Sequence, residues 1–423
     1  ADVLARFHRE LGDEVFFNTG TDEHGLKIFR KVKELGMDVQ KYCDEKAENF
    51  KKLKEALNLT FDNFIRTTDE HHIKAAQKFW EICRDSGDIY KKTYKIKYCV
   101  GCELEKTDSE LVDGKCSLHP NLEIEIIEEE NYFFRFSKYQ DKLLKLYDEN
   151  PDFVLPKKRM NEIRSFVERG LEDFSISRLK SKMPWGVPVP GDEEQVMYVW
   201  FDALVDYIST LGWPKNIENF NKFWPGYQLC GKDNLRQQSA MWQAMLMSAG
   251  LLNSKQIFVN GFITSKGEKM SKSLGNVINP QDMVVKFGID GTRYLLLSYG
   301  KFGEDTDLSW EMLTEKYNAD LANGLGNLVS RSIKLSQSMT SEINIKSIGE
   351  NFDHVEYSKD FMEKMELSQL LQIIWYDIAG VNKYIEDGKP WMIKEKNDEH
   401  FNHIINTIFY KLYRISYFLL PFM

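Results

Sequence analysis

The most specific chemical pattern in the sequence is Cys99-x2-Cys102-x13-Cys116-x2-His119. Its two close pairs can set three thiolates and one imidazole on a single tetrahedron, a donor set that suits Zn²⁺. With every corner filled by protein, none remains for water, so the metal is expected to be structural. Free thiols close by chance are the competing reading, and the short, turn-rich segment argues against it. Cys43, Cys83 and Cys230 lie outside the pattern and read as small core residues. A second pattern is the loop Lys269-Met270-Ser271-Lys272-Ser273, flanked by Gly267 and Gly275. A Lys-rich pentamer is more often simply solvated. Placed after a strand, its two ammonium groups could meet charge developing on a transferring phosphoryl group.

The elements that must position these groups alternate. Val3, Leu4, Phe7 and Leu11 recur at helical spacing, so Ala1 to Leu11 reads as a helix. EVFFNTG then reads as a strand running into the polar turn TDEHG, followed by helices from Leu26 to Leu35 and from Val39 to Leu57. Strand, turn, helix is the alternation of a parallel α/β sheet, whose ligands bind at the carboxyl ends of strands. TDEHG is thus placed for chemistry. From about Asp88 to Gln195 the pattern changes: TYKIKYCVGCELEKTDSELVDGKCSLHPN is strand-poor, turn-rich and carries the cysteine cluster. A helical stretch, YFFRFSKYQDKLLKLYDEN, and a Pro- and Gly-rich passage, MPWGVPVPGDEEQ, follow it, and the whole is read as an insertion. The α/β pattern resumes at VMYVWFDALVDYI and at FWPGYQLCGKDNLRQQSAMWQAMLMSAG, and QIFVNGFI is a strand before the lysine loop. Beyond about Trp310 the segments are long, apolar-periodic helices joined by polar loops, as in a bundle.

Composition narrows the function. The 423 residues carry 56 Lys+Arg against 65 Asp+Glu, a net charge of −9, which argues against non-specific nucleic-acid binding but leaves a local basic face open. Apolar residues at 42% and aromatics at 13% describe a globular chain of two to four domains, not a disordered one. No uncharged apolar run is long enough to span a membrane. Six cysteines are too few for a disulfide scaffold, and their clustering points to a metal in a reducing compartment.

Read in order, TGTDEHG, the CxxC…CxxH knuckle, YVWFDAL, GKDNLR, KMSKS, NLVSR and KPW make the chain resemble the methionyl-tRNA synthetases, a class I aminoacyl-tRNA synthetase family, over essentially its whole length. The resemblance implies an α/β, Rossmann-like parallel-sheet catalytic domain (1–87 and 196–263) with a zinc-knuckle connective insertion (88–195). It further implies a KMSKS loop and linker (264–315) and an all-α helix-bundle anticodon-binding domain (316–423). The implied activity is ATP-dependent ligation of methionine to tRNA(Met) through methionyl-adenylate, with structural Zn²⁺ and with Mg²⁺ accompanying ATP. The implied enzyme is cytoplasmic and has no membrane partner. It is a monomer over this length, or a dimer through a further C-terminal segment.

Carried over residue by residue, Asp22 is expected to hold the substrate ammonium, since a buried ammonium needs a fixed anion. Arg178, in SISR, is expected to orient that region, a surface ion pair being the plainer reading. Trp200, Ala203, Tyr207, Gln238 and Trp242 are expected to wall the side-chain pocket, where a thioether packs well on rings; without the resemblance they would read as core. Gly231 and Asp233 match the turn that approaches the ATP ribose, and His24 is a further ATP-site candidate against a structural turn histidine. Lys272, supported by Lys269, is expected to act on the phosphates. Asn327, Arg331 and Trp391 are expected to read the anticodon, by hydrogen bonds to base edges and by stacking. A surface polar pair and a core tryptophan are the alternative.

The chain also departs from the family. The His-x-Gly-His turn that grips ATP normally lies just upstream of ADVLARF, so roughly 20–30 further residues, a strand, turn and helix start, are expected there; without them the chain would be impaired. Leu204 stands where Pro is frequent, Gln237 and Gln238 where an aromatic and a His are common, and Asn260 where a His often precedes Gly. Amides keep hydrogen bonding but exclude proton transfer at those positions. Enzymes for isoleucine, valine or leucine carry a much larger insertion, and cysteine enzymes need an open zinc site. A non-catalytic tRNA-binding relative is the rival from another class, and the retained Asp22, Asp233, Lys269 and Lys272 argue against it.

Overall fold

The structure, a computed structural model, describes residues 1–106, 110–265, 267–270, 276–339, 342–347, 354–393 and 399–423. The chain divides into two compact units.

The first unit comprises residues 16–52 and 61–259. Its helix Glu70–Asp85 buries His72, Ala75, Ala76, Phe79, Trp80 and Cys83, the apolar stripe of a core-facing helix. Phe79 and Trp80 meet Phe201 at ring-centroid distances of 5.9 and 5.1 Å, and Phe79 meets Trp242 at 5.5 Å. Strands Asn18–Thr21 and Asn63–Arg66 pair in parallel, with Thr21 opposite Arg66. Gln256–Asn260 pairs in parallel with Val154–Leu155 and lies beside Tyr227–Gly231.

The cysteine-bearing stretch is not strand-poor, which corrects the reading of its sequence. Ile89–Cys99 runs antiparallel to Glu125–Phe134 over ten residue pairs, and Leu104–Lys106 folds back on its distal end. The ribbon has little apolar alternation to announce it. Cross-strand charges join it instead, Lys95 to Glu128 at 3.7 Å and Lys91 to Glu130 at 3.9 Å. The helix read from Val39 to Leu57 is likewise two, Val39–Lys51 and Leu53–Ala56.

The other unit comprises residues 1–15, 53–60 and 260–423. Helices Leu367–Gly388 and Glu399–Leu419 supply its core through Leu370, Ile374, Ile378, Phe401, Ile405 and Ile408. The run from Trp310 to Ser336 is α, then a π-helical stretch Tyr317–Gly326, then α. Buried Arg293 fastens the unit: it contacts Asp2 at 2.7 Å and donates to the carbonyls of Phe422 and Leu57 at 2.9 and 3.0 Å. No helix among the described residues is long and apolar enough to cross a membrane.

Candidate active site and metal knuckle

The TDEHG turn leaves the carboxyl end of strand Asn18–Thr21. Glu23 anchors it. Buried Glu23 accepts from Arg66 Nε and Nη2 at 2.7 and 2.8 Å, from Thr68 Oγ1 at 2.5 Å and from Thr21 Oγ1 at 2.7 Å, while its own N–H donates to Thr67 Oγ1 at 2.9 Å. Burial alone would raise the Glu23 carboxyl, but these donors and the Arg66 charge hold it below its ordinary range. Trp185, from the Pro- and Gly-rich passage of the insertion, donates to the Glu23 carbonyl at 2.6 Å and sets its ring edge-on to His24, 5.5 Å between centroids.

Glu23 is buried, whereas Asp22 beside it is exposed. The protein crowded around Asp22, followed by the charges of Asp202, Glu103 and Asp206, pushes its carboxyl well above the usual range. Asp202 is fully buried, with Oδ2 2.8 Å from His24 Nδ1 and Oδ1 without a hydrogen-bond partner among the described residues. Asp206 is pushed up to about 7, first by burial and then by Asp202. Sequence reasoning assigned none of Glu103, Asp202 and Asp206. Asp202 is 178 positions from its His24 partner, and no local spacing could have announced the pair.

Part of the expected pocket wall meets at Tyr207. Its ring lies 6.4 Å from that of Trp242. Trp200 and Ala203 stand on the short helix Val199–Ala203, and Tyr207 on Asp206–Ser209. Gln238 lies in a π-helical stretch, Gln237–Met241, that passes into the α-helix carrying Trp242. Such bulges re-aim side chains and gather at functional sites. Trp200 Nε1, Gln238 Oε1 and Trp242 Nε1 are buried without a hydrogen-bond partner among the described residues.

Arg178 is buried, unlike the surface pair of the plainer reading. It donates to Ser175 Oγ and the Ser177 carbonyl at 2.8 and 2.7 Å and stacks on Tyr198 and Tyr98 at 4.7 and 5.3 Å. Its charge acts on Glu103, and that of Glu103 on Asp22. A cavity of about 210 Å³ borders the turn, lined in part by Gly25, Leu26, Tyr98, Arg178 and Tyr198. Gly231 ends strand Tyr227–Gly231, and Asp233 folds back over it: a Cβ at 231 would lie 2.6 Å from Asp233 Oδ1.

Asp206 offers a direct test of this crowding. Its folded value of about 7 exceeds the ordinary 3.8, so the folded state holds a proton that the unfolded chain releases, and stability falls as pH rises between the two values. Asp206→Asn is therefore expected to gain on the wild type, in urea unfolding, by about 2–3 kcal/mol more at pH 8 than at pH 5. Equal gains at both would mean that Asp206 ionises unhindered.

In the knuckle, the donor atoms of Cys99, Cys102, Cys116 and His119 all lie within 4.8 Å of one another. Cys102 Sγ is 3.4 Å from Cys116 Sγ and 3.2 Å from His119 Nδ1. These are the edges of a tetrahedron of metal-ligand size, so the donor set fits a metal ion of the Zn²⁺ kind. Gly101 makes room for it, since a Cβ there would come 2.5 Å from the His119 ring.

In the other unit, Asn327 and Arg331 share helix Asn327–Ser336. Arg331 lies 3.6 Å from Glu386 of helix Leu367–Gly388, whose end leads into the short 3₁₀ turn Pro390–Met392. Trp391, on that turn, is 49% exposed, which removes the core-tryptophan alternative. Lys269 lies in a two-residue strand paired with Thr264–Ser265. Lys272 lies outside the described residues.

A family model described as tRNA synthetases class I (M) matches residues 1–120 and 102–333. The methionine–tRNA ligase of Thermotoga maritima is 43% identical over 438 aligned positions, spanning 100% of this chain and 69% of that protein. That of Caldanaerobacter subterraneus is 42% identical, over 97% of this chain and 66% of that protein. Methionyl-tRNA synthetase of Mycobacterium tuberculosis, solved with methionyl-adenylate, superposes with a TM-score of 0.93 at 36% identity, covering 100% of this chain and 86% of that one. Its free form gives 0.83 at 32% identity. The chain belongs to the methionyl-tRNA synthetases, within class I of the aminoacyl-tRNA synthetases.

Proposed function

We propose that the protein joins L-methionine to tRNA(Met) in two steps. A methionine carboxylate oxygen attacks the α-phosphorus of ATP, the bond to the β-phosphate oxygen breaks, and pyrophosphate leaves. A hydroxyl of the terminal tRNA adenosine then attacks the methionyl carbonyl, and AMP leaves.

The observation that carries this reading is a surplus of carboxylates beside a wall of rings. Asp22, Asp202 and Asp206 oppose one another's ionisation, so a bound ammonium would relieve their repulsion. Trp200, Tyr207 and Trp242 offer polarisable faces to a thioether. Asp22 holds the ammonium, Arg178 keeps the surrounding segment in place, and Gln238 gives an otherwise unpaired oxygen to the substrate. Gly231 and Asp233 receive the ribose and His24 borders the nucleotide. Lys269 and Lys272 meet the phosphates, with Mg²⁺ screening their charge. Cys99, Cys102, Cys116 and His119 would hold Zn²⁺, which would fix the fold of their segment and take no part in the reaction. The stacking of an anticodon base on exposed Trp391, flanked by Asn327 and Arg331, would contribute about 1–3 kcal/mol. The enzyme works as a monomer in the cytoplasm, where unpaired thiols persist.

ATP–pyrophosphate exchange by the full gene product, run with each amino acid in turn, tests the reading. Methionine alone should support exchange, and metal analysis should find zinc at one ion per chain. Exchange supported by isoleucine or cysteine instead would overturn the substrate, and a zinc-free active enzyme would remove the metal.

A further inference from the structure

Helix Leu26–Leu35, which follows the TDEHG turn, has no side-chain N-cap of its own. Its N-cap position is Gly25, at φ 113°, and its first turn holds no acidic residue. The first amides of a helix need acceptors. One comes from the knuckle: the Lys27 N–H donates to Glu103 Oε1 at 3.2 Å. Glu103 immediately follows the ligand Cys102, and its own backbone is left-handed, at φ 52°, a conformation unusual for a residue with a side chain. The fit of Glu103 to the turn is close, because a Cβ on residue 25 would collide with Glu103 Oε1. On its other side the Glu103 carbonyl accepts from the Tyr198 hydroxyl. Tyr198 is the N-cap residue of helix Val199–Ala203, which carries Trp200 and Ala203. One residue of the metal loop is thereby wedged between the two segments that supply the methionine pocket.

We propose that Glu103 is a positioning residue for the methionine site, capping from the metal knuckle the helix that follows the Asp22 turn, so that knuckle and amino-acid site move as one body. The proposal rests on the methionine-activation reading for its kinetic consequence. Its structural core stands apart from that reading. The carboxylate touches neither substrate nor metal: its Oε1 serves an amide, while the backbone carbonyl of the same residue serves a phenol.

Three variants of the full gene product test it: Glu103→Ala, which removes the acceptor; Glu103→Asp, which keeps the charge but shortens its reach; and Glu103→Gln, whose amide oxygen still accepts from Lys27. In Glu103→Ala and Glu103→Asp, hydrogen exchange of the amides from 26 to 30 should quicken roughly fivefold, the loss expected for one cap. The methionine KM should rise by a similar factor with kcat within about twofold, and zinc content should stay at the wild-type value. Glu103→Gln should restore both exchange and KM. The proposal fails if Glu103→Ala and Glu103→Asp leave exchange and KM at wild-type values. It fails equally if zinc is lost with the carboxylate, because Glu103 would then serve only the metal loop, or if Glu103→Gln is as impaired as Glu103→Ala. If wild-type protein shows no methionine-dependent exchange, the functional reading falls, while hydrogen exchange still decides the capping role.

Discussion

Replacing Asp22 by Asn lowers kcat/KM for methionine by about a hundredfold to a thousandfold, the factor expected when one partner of a desolvated charge pair is truncated. The size follows from what the neighbours cannot do. Asp202 is fully buried and engaged with His24, so it cannot turn to meet an ammonium. Asp206 keeps its proton up to about pH 7 in the absence of a cation. The amide introduced by Asp22→Asn has the shape of the carboxylate and can accept one hydrogen bond, but it supplies no charge to balance the ammonium. The deficit should fall mainly on the methionine KM and leave that of ATP near its wild-type value, because the ammonium stays charged throughout activation. Calorimetric titration with methionine and exchange kinetics check it together. A variant within threefold of wild type in both would remove Asp22 from the site.

The parts of this site that were legible in the sequence share one property: their partners are close along the chain. Cys99, Cys102, Cys116 and His119 lie within one short stretch of chain, and their spacing suggests the convergence of donor atoms that the fold shows. The helix Leu26–Leu35, the strand Gln256–Asn260 and the long C-terminal helices announce themselves by periodicity, which is also local. What stayed hidden is carried by distance. Glu103 reaches Lys27 across 76 positions, and Trp185 reaches Glu23 across 162. These contacts exist only once the insertion has folded onto the sheet. The π-helical stretches, Gln237–Met241 in one unit and Tyr317–Gly326 in the other, have no periodicity that separates them from α-helix, although both lead directly into residues of interest, Trp242 and Asn327. The ribbon Ile89–Cys99 was missed for a different reason: away from its core end, where Phe133 and Phe134 of the paired strand are buried, it shows exposed charges such as Lys95 and Glu128 in place of apolar alternation. The resemblance to a family supplied roles for Trp200, Tyr207 and Gln238, whereas the orphaned polar atoms of Trp200 and Gln238 supply a physical reason for such roles.

Glu23 stands in the same turn as Asp22 and looks, in the sequence, like an equivalent carboxylate. The fold makes the two opposite in kind, and the ion pair that does so carries the second large effect. Arg66 closes a fork on Glu23 at 2.7 and 2.8 Å and reaches Asp44 at 2.6 Å, with the Glu23 side chain only 4% exposed. Arg66→Met keeps most of the volume but strands a buried carboxylate, and should cost about 3 kcal/mol of stability at pH 7. The sign with pH follows from the pair. In the wild type the folded carboxyl lies below its ordinary value, so its contribution is present above that value and is lost as pH falls through the folded one. In Arg66→Met burial dominates and the folded carboxyl rises above the ordinary value, so the variant's deficit is greatest near neutrality and shrinks as pH approaches 4.5, the ordinary value. Adding Glu23→Gln to Arg66→Met should recover part of the loss at pH 7 and almost none near pH 4.5, since a protonated carboxyl and an amide are then close equivalents. Urea unfolding at the two pH values measures this. A deficit independent of pH would show that Arg66 matters for its packing alone and that the turn is not held by charge.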